Sequence, residues 1–209
     1  MTKQFAKYFC LWIAITLVVA CAANLPADKA KSRDDVQIDR RRSMVEQFIR
    51  RTDWRIERYK IASLPRDPRA RAALRPFAVT EFSGNLMLNE GINELWTLVA
   101  GGSATAYNNT NARCGVGDST TAEAATQTDL QAATNKLYKA QNSGFPTFGT
   151  SQQIVFKCDY TGSEANFAWN EFTVDNGSTA AKNLNRKVSS QGTKTSGQTW
   201  TLTLTITLS

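Results

Sequence analysis

Two carboxylates four residues apart, Glu171 and Asp175, with Asp159 and Glu164 near them in sequence, come closest to a catalytic pattern. Such a pair would serve glycoside hydrolysis, one group as acid and the other as base or nucleophile. On a strand, however, residues 171 and 175 share a face without being neighbours, so the spacing assembles no pair. The chain contains no histidine, which removes Ser-His-Asp and Cys-His catalysis and histidine-ligated metals. Its cysteines at 10, 21, 114 and 158 include no C-x-x-C pair, which argues against structural zinc. Gly115-Val116-Gly117-Asp118 lacks both the lysine of a phosphate loop and the repeated acids of a calcium loop. Glycines that close a strand into a tight turn are expected there. Trp169, Trp200, Phe156 and Phe167 would suit a sugar-binding face, but their apolar strand phases predict core packing. Asn108-Asn109-Thr110 and Asn176-Gly177-Ser178 read as turns. No catalytic residue, metal ligand or cofactor is assigned.

The elements that carry these residues are mostly strands. Trp200, Leu202, Leu204, Ile206 and Leu208 alternate with Thr199, Thr201, Thr203, Thr205 and Thr207, the period of a strand with one buried face. Its threonine face, Thr201, Thr203, Thr205 and Thr207, is a candidate subunit contact. Ile154, Phe156, Cys158 and Tyr160 mark a second strand, and Ala112, Cys114 and Val116 a third. Phe167–Val174 and Leu184–Ser190 are two more, around the turn Asp175-Asn176-Gly177. Leu88, Ile92, Leu95/Trp96 and Val99 predict a helix with an apolar stripe, stopped by Gly101-Gly102. Residues 122–134 are ambiguous between helix and coil. The expected fold is mainly β: an antiparallel, jelly-roll-like β-sandwich over 77–209 with one or two short helices. Cys114 and Cys158 should both point inward. In an exported chain with those strands adjacent, a disulfide between them would contribute roughly 4 kcal/mol; in a cytoplasmic assembly both would stay thiols.

Charge is concentrated ahead of that domain. Residues 1–75 carry 17 Lys+Arg and 8 Asp+Glu, a net +9, against 8 and 10, a net −2, in 76–209. Such asymmetry suits nucleic acid, a membrane surface or an acidic protein, with nucleic acid not favoured. Val45, Phe48, Ile49, Thr52 and Ile56 fall at helical spacing, which predicts a basic amphipathic helix at the start of a 44–76 arm. Phe48, Trp54, Arg55, Arg58 and Tyr59 would then be available to dock on a partner. Pro65, Pro68 and Pro76 should break any helix in the connector 61–76. Residues 1–43 read either as an export signal or as an over-long start ahead of Met44. Leu17-Val18-Val19-Ala20-Cys21 looks like a bacterial lipobox, with Cys21 the lipidated residue; a membrane partner follows only from that signal.

Four segments taken in order carry a resemblance: Gly84-Asn85-Leu86-Met87-Leu88-Asn89-Glu90-Gly91-Ile92-Asn93; Gly115-Val116-Gly117-Asp118-Ser119-Thr120-Thr121; Asn166-Phe167-Ala168-Trp169-Asn170-Glu171-Phe172; and Leu184-Asn185-Arg186-Lys187-Val188 leading into Gly192-Thr193-Lys194-Thr195. The chain from Trp54 to Ser209 resembles a family of tailed-bacteriophage and prophage structural proteins. The resemblance implies a non-enzymatic virion part of the tail, neck or a head or tail fibre. Its partners would be copies of itself and other virion proteins, and no catalytic residues carry over. The signal-like N-terminus is not part of that pattern, and it supports the alternative of an exported, lipid-anchored envelope protein that binds a surface glycan or protein.

Overall fold

Period two, not period 3.6, organises the first stretch that the computed structural model describes, which covers residues 51–177 and 179–208. Strand β1 (Arg51–Tyr59) buries Thr52, Trp54, Ile56 and Arg58 and leaves Asp53, Arg55, Glu57 and Tyr59 half-buried. The expected amphipathic helix is therefore corrected over this span. Both spacings fit the apolar residues, and the strand wins because it places Trp54 and Ile56 in the core, at 0% exposure, between two antiparallel partners. Val45, Phe48 and Ile49 lie outside the described residues. The connector also departs from expectation. Helix α1 (Pro68–Ala73) begins at Pro68, with Asp67 as N-cap accepting from the Arg69 amide. Proline in the first turn starts a helix, because its missing N–H has no intrahelical partner there.

Strands β1, β2 (Ala78–Ser83), β6 (Thr147–Thr150), β7 (Gln153–Tyr160) and β10 (Thr199–Thr207) form one antiparallel sheet in the order β2-β1-β10-β7-β6. The second sheet has the order β3-β9-β8-β4-β5. Its members are β3 (Leu86–Met87), β4 (Arg113–Gly117), β5 (Lys136–Ala140), β8 (Glu171–Asp175) and β9 (Asn185–Val188). The fold is thus mainly β, two five-stranded antiparallel sheets in a sandwich. Strand β1 is a central member, so the sheet does not begin at residue 77 but includes part of the expected arm.

The inward phases of both sheets meet in a single core. Trp54, Ile56, Phe156, Cys158, Tyr160, Leu202 and Leu204 come from the first, and Cys114, Val116, Phe172 and Val174 from the second. Trp169 packs edge-on against both Tyr160 and Trp200, with ring centroids 4.8 and 4.9 Å apart, a geometry that the opposed charge of ring edge and ring face favours. These aromatics are core, as their strand phases predict.

Helix α2 (Asn89–Val99) forms where expected, with Gly101 at positive φ after it. Its apolar residues divide differently from the expected stripe. Leu88 is buried and Leu95 and Leu98 pack against the core, while Ile92, Trp96 and Val99 stay exposed. Gly91 sets this rotation. A Cβ there would stand 2.5 Å from Leu184 Cα and 2.6 Å from Asn183 O, so the helix lies directly on the chain entering β9.

The half-buried assignment of β10 has a direct test. Leu204→Ala, at a fully buried site, should cost about 2–5 kcal/mol in urea unfolding. Thr203→Ala, on the opposite face, should cost under about 1 kcal/mol.

Candidate functional site

Strand β8 is the unusual element of the second sheet, because it is buried on both faces. Phe172 and Val174 enter the sandwich core. Glu171, Thr173 and Asp175 face the other way, yet none of the three reaches solvent. Residues 118–135 cover that side through bonds to Glu171 and Arg186, and helix α2 lies beside it, Glu90 accepting from Asn183 N and Glu94 from Asn176 Nδ2.

Glu171 and Arg186 are the centre of this layer, each with a fully buried side chain. Arg186 donates to Glu171 Oε2 from Nε at 2.9 Å and from Nη2 at 2.7 Å. It also donates to Thr121 O, to Gln127 Oε1 and to Ala122 O. Glu171 in turn accepts the amides of Gln131 at 2.9 Å and Ala132 at 2.7 Å. The pair therefore bonds both ends of the covering segment to the sheet. These backbone groups are committed to side chains, which is why 122–134 forms no helix. Gly117, opposite Glu171 in the β4–β8 register, leaves the space: an added Cβ would collide with the Glu171 carboxylate. Gly115 and Gly117 therefore lie within β4 rather than in the expected turn.

Asp175 pairs bidentately with Arg113, at 3.0 Å to Nε and 2.5 Å to Nη2. Burial pushes its carboxyl up against the pull of Arg113. Glu164 accepts from Thr161 N and Oγ1 and pairs with Lys139. Asp159 accepts from Thr201 Oγ1 at 2.7 Å and from Arg71 at 2.6 Å. The four acids considered for hydrolysis thus hold separate sets of hydrogen-bond and ion-pair partners. Among the described residues, no group of three or more His, Cys, Asp or Glu is placed to hold a metal ion.

The sequence-predicted docking residues are also mostly engaged. Trp54 is fully buried, its indole N–H donating to Gly84 O at 3.0 Å. Arg58 is buried over the Trp200 ring at 4.4 Å and donates to Gln191 O. Both are corrected from partner contacts to core. Arg55 and Tyr59 lie on the outer face of the first sheet and converge on Glu57, at 3.0 and 3.3 Å; Arg55 also pairs with Glu81. Phe48 and Cys21 lie outside the described residues. Of the threonine face, Thr201 is buried under Asp159 and is corrected to an internal contact, while Thr203, Thr205 and Thr207 stay half-buried.

The exposed large apolar side chains lie elsewhere. Trp96 (61%) and Val99 (75%) project from helix α2, and Phe148 (72%) from the edge strand β6. Phe77 and Val79 mark the opposite edge, at β2. Sequence periodicity put Trp96 and Val99 in the core stripe, and β6 carries no alternation by which to find Phe148.

Cys114 and Cys158 form a disulfide, with Cα atoms 6.1 Å apart and a sequence separation of 44. The two strands are not paired; the bridge runs from β4 in one sheet to β7 in the other. Tyr160 seals it by donating its hydroxyl to Cys114 O at 2.6 Å. Comparison of the chain with protein-family models, curated proteins and solved structures finds no match.

Two stability measurements check this architecture. Glu171→Ala leaves Arg186 buried without its counter-charge and should cost about 3–5 kcal/mol, and the Glu171→Ala/Arg186→Met pair should cost less than Glu171→Ala alone. Cys114→Ser/Cys158→Ser should lower unfolding free energy by roughly 4 kcal/mol, from the lost loop closure.

Proposed function

We propose that the chain is a non-enzymatic virion structural protein that self-associates and contacts other virion proteins through the edges of its sandwich. The observation that carries this reading is where large apolar side chains remain in water. Trp96 and Val99 share one helix face, and Phe148 sits on a strand whose outer edge is unpaired among the described residues. Unpaired edges offer a row of free backbone donors and acceptors to another chain, and exposed aromatics are the side chains that anchor interfaces. The contact surface is accordingly moved from Trp54 and Arg58 to these edges and to helix α2. The order of the four motifs adds the tailed-phage assignment.

The Cys114–Cys158 bridge favours a second reading. Disulfides persist in oxidising compartments and are rare in the cytoplasm, where virions assemble. Together with Leu17–Cys21 it supports an exported envelope protein whose β-sandwich binds a surface glycan or protein, anchored through Cys21.

One fractionation separates the two. In gradient-purified particles and cell envelopes from the same culture, tryptic peptides of the folded domain should concentrate in the particles. Concentration in the envelope, with a lipid-modified N-terminal Cys21, would replace the first reading by the second. On the purified protein, Phe148→Lys and Trp96→Lys should each shift light-scattering mass toward the monomer without lowering the unfolding midpoint.

A further inference from the structure

Lys194 is the one buried lysine among the described residues, at 1% exposure. Its ammonium donates to Thr161 O at 2.7 Å and to Asn166 Oδ1 at 2.9 Å. Both acceptors are neutral, and Lys194 takes part in no ion pair among the described residues. A buried charge without a counter-charge is a costly arrangement, and the cost falls on the protonated form. Burial accordingly pushes the Lys194 amine down to about 8, against the upward pull of Glu164. The amine is thereby more easily deprotonated near neutral pH than an exposed lysine.

Its neighbour is held in a reactive relation to it. The two segments are locked together by the Lys194 amide bonding Phe167 O at 3.0 Å and by the bridge between Ala168 and Thr193. Ala165, just before Asn166, sits at φ 48, where a side chain is disfavoured. Its carbonyl is held there by the Trp169 indole at 3.1 Å. The Asn166 amide is oriented as well: Nδ2 donates to Gly162 O at 3.0 Å, which leaves Oδ1 toward the amine. An amine and a carboxamide fixed at contact distance have already lost the freedom that slows their condensation in solution.

We propose that Lys194 and Asn166 become joined by an intramolecular isopeptide bond. The Lys194 Nζ–Asn166 Cγ bond forms and the Cγ–Nδ2 bond breaks. Nδ2 departs as ammonia with a proton from the attacking nitrogen, so no oxidant or reductant enters. Asn166 stands at the surface, which gives the ammonia an exit. Glu164 pulls the Lys194 amine upward and is held by Thr161 N and Oγ1 on the residue whose carbonyl receives the amine. The product replaces a buried ammonium with a neutral amide and ties the loop after β7 to the loop before β10. It stands independently of whether the chain serves a virion or an envelope.

Peptide mapping of the purified full chain, after reduction, alkylation and trypsin, tests this. Acylated Lys194 resists trypsin, so residues 158–182 and 188–209 should appear as one branched peptide. Its mass should be one ammonia below the sum of its two arms. Linear peptides 188–194 and 195–209 from natively folded protein, with Asn166 unmodified, would overturn the proposal. So would the loss of ammonia within a linear peptide, which marks a cyclised asparagine. Asn166→Ala, a change at an exposed residue, should abolish the branched peptide in protein whose circular dichroism shows the native β fold. Persistence of the branch in that variant would equally overturn the assignment.

Discussion

Glu171 and Arg186 face one another beneath residues 118–135, and neither side chain touches water. A buried ion pair gains little over an apolar pair of the same shape, because desolvating two charges offsets their attraction. What this pair supplies is specification. The covering segment has a single large apolar residue, Leu130, and its backbone groups need partners wherever they are buried. A guanidinium with five donors and a carboxylate with two acceptor oxygens supply several such partners from one point, in fixed directions. The segment is thereby bound without helix or strand, and the outward face of β8 becomes interior. Gly117 follows from the same constraint, since a Cβ there would take the space of the Glu171 carboxylate.

The other sheet solves its outer face differently. Arg55, Glu57 and Glu81 make a paired, half-exposed array across β1 and β2, and α1 reaches back through Arg71 to Asp159 and so to Thr201. Exposed ion pairs of this sort contribute little to stability. They also keep a flat sheet face polar, which discourages indiscriminate stacking. Among the described residues, large exposed apolar side chains are thus left mainly to the β6 and β2 edges and to helix α2.

Much of the sandwich was legible in the sequence where period two was unbroken. Strands β10 and β7 are read from Trp200–Leu208 and Ile154–Tyr160, and the inward direction of Cys114 and Cys158 follows from the same alternation. Strand β1 was not, because Thr52 and Ile56 satisfy the helical and the extended period together, and only the partners β10 and β2 break the tie. The outward face of β8 was illegible for another reason. Glu171, Thr173 and Asp175 look solvent-facing to any alternation rule, and their burial depends on Arg186 and on a loop with no periodicity. Helix α2 was found but turned about its axis, since apolar residues cover two adjacent faces and Gly91 decides which one meets the core. That Cys114 and Cys158 come together was readable only as a conditional, because their strands belong to different sheets and pairing depends on how those sheets pack.

Helix α2 also gives the molecule an optical asymmetry. Trp54, Trp169 and Trp200 lie in the core, whereas Trp96 is the only exposed indole among the described residues. Core indoles emit at short wavelengths until the sandwich opens, and a solvated indole emits at longer ones. The two populations therefore report on separate events. Among the described indoles, the long-wavelength component follows whatever covers the helix face, while the short-wavelength component follows the integrity of the fold.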